Sequence, residues 1–331
     1  MELRTLGSTG LSVSRIGLGM AALGRPGYIN LGHRQDLGDD SGEEAMEARA
    51  REILDTAWRS EIRYFDVARS YGLGEQFLGN WLTDRGISRE NVTVGSKWGY
   101  RYTANWKVDA EVHEVKEHTL PMLKKQWSES VSLLDGYISL YQIHSATMES
   151  GVLENKEILG HLAGLRDKGI RIGLSLTGTG QGEVLRKAMG IILDGSHLFE
   201  CVQATWNLLE RSAGPALAAA HAAGVGIIIK EALANGRLTD RTDDPDFAPK
   251  LTLLREESER LTVSVDALVI AATLAEPFAD TVLSGATSTN QLLSNLIGSR
   301  IALDADARSR LLEIVESPNE YWAKRRTLPW N

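Results

Sequence analysis

The sequence predicts an α/β fold in which eight parallel strands and eight helices close into one (β/α)8 TIM barrel, preceded by an N-terminal β-hairpin. Eight short apolar runs rich in β-branched residues alternate with longer stretches of helical periodicity, which is typical of βαβ units in a parallel sheet. The candidate strands are residues 16–19, 63–67, 92–98, 137–144, 170–176, 201–206, 226–230 and 281–284. The candidate helices are residues 42–60, 75–85, about 109–134, 154–166, 181–189, 215–222, 249–276 in two pieces, and 290–297. A doubly wound open sheet built from the same units is the alternative.

Turn residues and irregular stretches support this assignment. Residues 2–13, with Gly7-Ser8-Thr9-Gly10 at their centre, have the pattern of a β-hairpin ahead of the first barrel strand. Stretches without periodicity at 20–41, 99–107 and 235–249 follow the first, third and seventh strands. In a barrel all three would lie on the same rim, where long loops commonly cover a substrate or cofactor.

Length and charge limit the classes of protein to consider. The chain has 331 residues, a size that (β/α)8 barrels reach, and because no interdomain linker is visible we expect residues 1–331 to form a single domain. The formal charge is −8, from 36 Lys and Arg against 44 Asp and Glu, which argues against nucleic acid and anionic membranes as partners. The longest apolar stretch, residues 267–275, is too short to span a bilayer.

The N-terminus and the cysteine count indicate the cellular setting. The first residues have neither an apolar signal core nor a transit pattern, so the expected location is the cytoplasm. Cys201 is the only cysteine, which excludes an internal disulfide and any cysteine metal cluster, and we expect no metal.

Polar residues close most of the candidate strands. In a (β/α)8 barrel the reacting groups lie where the strands end, so these side chains are expected to converge on one mouth. The polar residues at or near strand ends are Asp66, Lys97, His144, Ser175, Gln203, Lys230 and Ser284. Tyr71 follows Asp66 by five residues and can fold back over the same mouth.

Four of these residues could act together in proton transfer to a substrate. A phenol with a pKa of about 10 is a weak acid at neutral pH, and an adjacent ammonium lowers that pKa by favouring the phenolate. Lys97 could act in this way on Tyr71, while Asp66 keeps the lysine charged and oriented. His144 would donate a hydrogen bond to a substrate oxygen and orient the carbonyl.

The motifs around these residues resemble those of the aldo-keto reductases. They are Phe65-Asp66-Val67-Ala68-x-x-Tyr71-Gly72, Ser96-Lys97-Trp98-Gly99, Gln142-Ile143-His144-Ser145, and Ser284-Gly285-Ala286-Thr287 with Gln291 and Asn295. The opening Arg4-x-Leu6-Gly7-x-Thr9-Gly10-Leu11 is similar to that of the bacterial and plant branch of the family. The resemblance implies the barrel fold and a tetrad of Asp66, Tyr71, Lys97 and His144. It further implies hydride transfer between a nicotinamide and an aldehyde, ketone or sugar lactol, with Tyr71 as general acid and base.

The resemblance also implies a cofactor, NADP(H) or NAD(H), and the residues that hold it. Ser175 and Gln203 would hold the carboxamide, and Trp206 would stack on the nicotinamide. The residues implied at the pyrophosphate are Ala232, Leu233, Asn235, Gly236 and Leu238, and those at the adenosine end are Ser284, Gly285, Ala286, Ser288, Gln291 and Asn295.

Two departures from the family pattern bear on specificity. Ser175 is followed by Leu176-Thr177-Gly178 rather than by the common Asn, a form that looks more like the galactose and aldose dehydrogenases of the family. The family default is NADP(H), but residues 284–295 contain no Lys or Arg that could make charge-assisted bonds to a 2′-phosphate. The sequence therefore leaves NAD(H) and NADP(H) both open.

The sequence offers candidates for the walls of the substrate site and leaves two alternative functions open. Trp98 and Tyr100 follow Lys97 closely and are the candidates for walls of the substrate site. The first alternative is a barrel aldolase or hydrolase with Lys97 or Lys230 as nucleophile. The second is a nucleotide-binding regulatory subunit with little turnover. The physiological substrate, the direction of the reaction and the oligomeric state stay open.

Overall fold

A computed structural model describes residues 1–38 and 40–331 of the chain. Residue 39, in the long loop predicted after the first strand, lies outside the described residues. The strands are β1 Leu3–Thr5, β2 Ser12–Ser14, β3 Ile16–Gly19, β4 Tyr64–Asp66, β5 Thr93–Trp98, β6 Tyr100–Tyr102, β7 Glu114–Lys116, β8 Ile138–Ala146, β9 Arg171–Leu176, β10 Ile192–Leu193, β11 Ser196–His197, β12 Cys201–Thr205, β13 Gly226–Lys230 and β14 Thr281–Ser284. The helices are α1 His33–Leu37, α2 Glu43–Arg59, α3 Gly74–Asp84, α4 Leu120–Leu134, α5 Lys156–Arg166, α6 Gln181–Met189, α7 Gly214–Ala222, α8 Ala248–Arg260, α9 Val265–Leu274, α10 Thr289–Ile297, α11 Ala305–Arg310 and α12 Pro318–Arg326.

Eight parallel strands form a closed barrel in the order β3, β4, β5, β8, β9, β12, β13, β14, and β14 pairs back onto β3. The predicted (β/α)8 barrel is thereby confirmed, and the open-sheet alternative is wrong because both edges are paired. The order places β8 directly across the barrel from β14, four strands away in either direction. Side chains at the ends of these two strands therefore face each other across the mouth.

The predicted N-terminal hairpin is β1 paired antiparallel with β2, and it closes the bottom of the barrel. Leu6, in its turn, is fully buried among inward-facing residues that include Tyr64 and Ile228. Gly7 has a φ of +51°, and a Cβ on it would lie 2.3 Å from the backbone nitrogen of Gly226. This close approach requires glycine and leaves the opposite, C-terminal rim as the open end.

Strand alternation separates the residues that face the barrel interior from those that face the helices. On β5, Lys97 bonds Asp66 inside the barrel, whereas Ser96 donates to Glu75 on the surrounding α3. On β12, Gln203 faces inward and bonds Asp66, at the centre of the mouth. A shift of one residue along a strand therefore moves a side chain from the mouth to the outer layer.

The largest difference from the predicted helices is at residues 109–134. Helix α4 begins only at Leu120, because Thr119 caps it by accepting from the Met122 backbone N–H, and a proline follows in the first turn. The residues before it include β7, which pairs antiparallel with β6 as a hairpin on the rim.

Helices α11 and α12, which follow the last barrel strand, were not among the predicted ones, and α12 carries Tyr321 and Trp322 into a core with Phe247. Within the described residues, no helix combines the length and apolar character needed to cross a membrane.

Candidate active site

Asp66 and Lys97 form a buried ion pair at the ends of the neighbouring strands β4 and β5. Lys97 Nζ bonds Asp66 Oδ1 and donates to the Val67 carbonyl at 3.1 Å. The second oxygen of Asp66 accepts from the Tyr64 hydroxyl at 3.0 Å and from Gln203 Nε2 at 2.8 Å. Both side chains of this ion pair are buried. Because hydrogen bonds satisfy both oxygens of the carboxylate, the pair is held in one orientation.

Tyr71 lies over this pair. Lys97 Nζ donates to the Tyr71 hydroxyl at 3.4 Å and lies 5.0 Å from the centre of its ring. The sequence predicts that the ammonium lowers the Tyr71 pKa. Burial instead raises the pKa of Tyr71 well above its usual value, and the charge on Asp66 raises it further. The phenol is therefore protonated at neutral pH, which is the form that can give a proton to a carbonyl oxygen.

His144 completes the group from the end of β8. Its ring lies edge-on to Tyr71, with ring centres 5.5 Å apart, and its Nδ1 is 3.4 Å from the Ser70 hydroxyl. The His144 backbone carbonyl accepts from His118 Nε2 at 2.9 Å. A register irregularity follows His144 in β8, where Ser145 has a φ of +53°. Burial lowers the His144 pKa well below its usual value, and the Lys97 charge lowers it further. The imidazole is therefore neutral and carries one N–H for a hydrogen bond.

A cavity of about 660 Å³ extends from this group across the mouth to the loops after β13 and β14. Most of the predicted site residues line it: Asp66, Tyr71, Tyr100, His144, Gln203, Ala232, Leu233, Asn235, Gly236, Ser284, Gly285, Ala286, Gln291 and Asn295. The segment 28–36 crosses over it, since the Leu31 N–H donates to the Asn235 carbonyl at 2.9 Å. Buried Asn235 Oδ1 has no hydrogen-bond partner in the described part of the chain. The cavity size, the free amide oxygen and the glycines in its wall fit an extended polar cofactor.

Five predicted contact residues lie elsewhere. Trp98 is the next residue after inward-facing Lys97 and therefore packs in the outer layer, beside His118. Trp206 likewise faces outward and packs against Phe278 and Arg211, so its ring does not reach the mouth. Leu238 is buried in the core around α8 and α9. The remaining two make local hydrogen bonds: Ser175 accepts from the Ser145 N–H, and Ser288 caps α10.

Two other residues of the mouth, Arg25 and Glu114, carried no sequence signal. Arg25, from the loop after β3, donates to Glu114 on β7 at 2.8 Å and to the Ser70 carbonyl at 3.1 Å. Its guanidinium lies 5.4 Å from the Tyr71 ring and 4.9 Å from the Trp330 ring. The regions that supply these residues are far apart in the sequence and have no periodic pattern, so only the folded chain brings them together.

The wall between the tetrad and the far loops is charged. Lys230, at the end of β13, donates to the Thr205 hydroxyl at 2.7 Å and lies 3.6 Å from Glu231, which also pairs with Arg325 on α12. Burial lowers the pKa of Lys230 to about 8. Burial alone would raise the pKa of Glu231, but Arg325 and Lys230 outweigh it and lower this pKa to about 2. Glu231 is thus a carboxylate held between two cations.

Comparisons with known proteins agree with this architecture. Residues 15–316 match the model of the aldo/keto reductase family. The chain is 25% identical over 332 residues to an L-galactose dehydrogenase of Arabidopsis thaliana, covering 96% of this chain and 95% of that protein. It is 37% identical over 100 residues to a pyridoxal 4-dehydrogenase of Microbacterium luteolum, covering 30% of this chain and 24% of that one. An aldo-keto reductase structure from Bacillus halodurans (holo form) superposes with a TM-score of 0.73 at 24% identity, covering 95% of this chain and 96% of that chain.

The chain belongs to the aldo/keto reductase family. It is accordingly an NAD(P)-dependent oxidoreductase of carbonyl compounds and their alcohols, as the resemblance in the sequence implied. Neither the lysine-nucleophile aldolase or hydrolase nor the regulatory subunit finds support in these matches.

Proposed function

We propose that Tyr71 is the general acid and base of the reaction and that Asp66, Lys97 and His144 serve it. The observation that carries this assignment is the contact of Lys97 Nζ with both Asp66 and the Tyr71 hydroxyl at one end of the cavity. When bound, the nicotinamide supplies a hydride to the carbonyl carbon in reduction and accepts one from the alcohol carbon in oxidation.

The side chains have separate tasks in reduction. The neutral His144 imidazole donates a hydrogen bond to the carbonyl oxygen and orients the carbonyl towards Tyr71. Tyr71 gives its phenolic proton to that oxygen as the alcohol forms, and Lys97 stabilises the phenolate left behind until water returns a proton. Asp66 keeps the ammonium in place. In alcohol oxidation the same proton moves in the opposite direction.

We propose a neutral, hydroxyl-bearing carbonyl or lactol as the substrate class. Arg25 and Glu114 stand beside Tyr71 as a pair without net charge, offering donors on one side and an acceptor on the other. Arg25 Nε is buried and has no hydrogen-bond partner among the described residues. The rings of Tyr28, Tyr100 and Trp330 line the same end and can pack on the apolar face of a sugar ring. The 25% identity to an L-galactose dehydrogenase agrees with this class.

The cofactor residues are part of the proposal. Gln203 and the loop of Ala232, Leu233, Asn235 and Gly236 would hold the nicotinamide and pyrophosphate, and Ser284, Gly285, Gln291 and Asn295 the adenosine, since all of them line the cavity. The cytoplasmic location predicted from the sequence is kept as a proposal, which cell fractionation would test.

The test of the tetrad is Tyr71→Phe, which removes one hydroxyl and keeps the ring. We expect turnover to fall by about 10²–10⁴-fold, the usual contribution of a general acid, while the Kd for NADH or NADPH, measured by fluorescence titration, stays within about twofold. The matched control is Tyr102→Phe, a half-buried tyrosine on β6 whose hydroxyl accepts from the Trp106 N–H. Turnover by Tyr71→Phe within tenfold of the unsubstituted enzyme would remove Tyr71 from the mechanism.

A further inference from the structure

The end of the cavity opposite the tetrad is built around one carboxylate, Asp36 on α1. Asp36 accepts from Gln291 Nε2 at 2.9 Å and from the Thr287 hydroxyl at 2.7 Å. Arg241, from the loop after β13, donates to both of its oxygens, at 2.8 and 2.5 Å. The Asp36 side chain is 12% exposed and lines the cavity. Two segments that are distant from α1 in sequence therefore converge on this single acid.

At this end of the cavity, the acidic side chains are negatively charged and Arg241 is neutralised by its ion pair with Asp36. Asp266, which also lines the cavity, accepts from Ser294 at 3.0 Å and from Asn295 at 2.7 Å. Arg241 is bound by Asp36 through both terminal nitrogens and also donates to the Leu31 carbonyl at 3.2 Å. Burial alone would raise the Asp36 pKa, but the hydrogen bonds from Arg241, Gln291 and Thr287 hold it below its usual value. Asp36 is therefore ionised at neutral pH, and Arg241 is not free to bind a ligand phosphate.

Among residues 1–38 and 40–331, four other cations line the cavity, and three of them are paired with carboxylates. Arg25 is paired with Glu114, while Lys230 and Arg325 are paired with Glu231. Arg326, on α12, donates through Nε to the Trp322 carbonyl. Arg241 lies beside α10 because it shares Asp36 with Gln291.

The architecture decides which part of a dinucleotide reaches Asp36, provided that the function proposed above is correct. In (β/α)8 barrels, phosphates bind in the loops after the seventh and eighth strands, close to the N-terminus of a short helix. Here those loops follow β13 and β14, and α10 begins at Thr289. With the reacting ring at Tyr71 and the phosphates in these loops, the adenosine ribose would lie beside α10, where Asp36 and Gln291 line the cavity and could hold it.

We propose that Asp36 selects NAD(H) over NADP(H), by accepting hydrogen bonds from the adenosine ribose hydroxyls and by keeping Arg241 from a 2′-phosphate. A carboxylate that accepts from the ribose 2′-hydroxyl is the means by which dinucleotide folds of another architecture recognise NAD. A phosphate at that position would meet the Asp36 charge at close range, where repulsion between like charges is strong. Arg241 is then a masked phosphate site, available to NADP(H) only when Asp36 is replaced.

The test measures the Kd of NADH and of NADPH by fluorescence titration in the unsubstituted enzyme, Asp36→Ser, Arg241→Ala and the double variant. We expect the unsubstituted enzyme to bind NADH at least 10-fold more tightly than NADPH. Asp36→Ser should tighten NADPH binding at least 10-fold and weaken NADH binding several-fold, because the acceptor is lost and Arg241 is released. The double variant should lose the gain in NADPH binding. Arg241→Ala alone should leave NADPH binding no weaker.

Asp240→Ser is the matched control. Asp240 lines the same cavity, but its carboxylate pairs with Arg255 and its side chain is 60% exposed. Its replacement makes the same change in net charge, and we expect the ratio of the two Kd values to move by less than about twofold.

The outcomes separate this inference from the proposed function. Binding of neither nucleotide would contradict the proposed function itself. Tighter binding of NADPH than NADH by the unsubstituted enzyme would overturn the role of Asp36 even if Asp36→Ser fails to fold. A 10-fold loss of NADPH affinity in Arg241→Ala, or equal ratios in Asp36→Ser and the double variant, would also overturn it.

Discussion

The two ends of the cavity are built in different ways. At the tetrad end, Asp66, Lys97 and His144 stand at the ends of barrel strands, and each is fixed by the backbone of the barrel. At the far end, Asp36 on the short helix α1 and Arg241 from a loop meet Gln291 on α10 through side-chain hydrogen bonds. In the proposed function, the first end carries the chemistry. The contacts of the second end lie outside the strands of the barrel, so a substitution there need not alter the barrel.

This difference suggests that catalysis and cofactor choice can be changed separately. A barrel strand that moved would disturb all of its neighbours, whereas a loop residue can change while the strands stay in place. The tetrad end should therefore respond to substitution with loss of turnover, and the far end with a change in which nucleotide binds.

The largest expected effect is that of Lys97→Met. In the proposed function, removal of the ammonium takes away the group that stabilises the Tyr71 phenolate, so turnover should fall by about 10²–10⁴-fold. It also leaves Asp66 buried without its charged partner, which typically costs about 3–5 kcal/mol of stability. Turnover is measured at a temperature where circular dichroism shows the variant to be folded. The ratio of the Kd values for NADH and NADPH should stay unchanged.

Lys125→Met is the control for this substitution, since Lys125 lies on α4 with its side chain 62% exposed. A Lys97→Met enzyme that keeps more than a tenth of its turnover, or that changes its nucleotide preference, would contradict the separation of the two ends.

An intermediate effect is expected from Glu231→Gln, in the wall between the two ends. The pKa of Glu231 in the folded protein is about 2, below its ordinary value of 4.5. Its charge therefore stabilises the fold above about pH 4.5, and this contribution is lost as the pH falls from 4.5 towards 2. The shift corresponds to roughly 3 kcal/mol. Glu231→Gln should lower the free energy of unfolding by a few kcal/mol at pH 7 and by roughly half as much near pH 3, where the folded protein still keeps this carboxylate largely ionised.

Denaturant titrations of both proteins at the two pH values measure this difference. A loss of stability that is the same at pH 3 and pH 7 would show that the Glu231 charge does not stabilise the fold.

The smallest effect is expected from Glu114→Gln, at the substrate side of the tetrad. Loss of an acceptor for substrate hydroxyls should raise KM for an aldose by about tenfold, as for a hydrogen bond to a charged group, while kcat changes by less than about threefold. Glu117→Gln is the control, because Glu117 is more exposed and lies 3.8 Å from Arg101. If KM for aldoses did not change, or if aldoses were not turned over at all, Glu114 would not recognise the substrate as proposed.

Much of the fold follows from short-range pattern. The eight apolar runs predict the eight barrel strands to within two residues at each end, because parallel strands buried on both faces need continuous β-branched sequence. The β6–β7 hairpin and α12 were not predicted. In the β6–β7 hairpin, polar residues obscure any alternation of apolar and polar side chains. Helix α12 shows no apolar periodicity, because it has only a short apolar pair with charged residues on both sides.

The candidate site likewise contains some residues that the sequence predicts correctly and others that it does not. Asp66, Lys97 and His144 could be predicted because a residue that closes a barrel strand must lie at the mouth. Trp98 and Trp206 were placed there by nearness in sequence or by analogy, but strand alternation turns them outward. The direction of the Tyr71 pKa also escaped prediction, because the effect of burial cannot be read from neighbouring residues alone.

The sequence by itself therefore determined the barrel, the strand-end residues of the tetrad and the absence of basic residues in segment 284–295, since periodicity and strand order are local properties of the chain. Only the tertiary structure decided that Arg241 nevertheless lies near that segment. It also decided that both terminal nitrogens of Arg241 donate hydrogen bonds to Asp36. Asp36 is 205 residues from Arg241 and 255 residues from Gln291 in the sequence, and contacts between side chains on such distant segments depend on how the barrel closes. No local pattern encodes that closure.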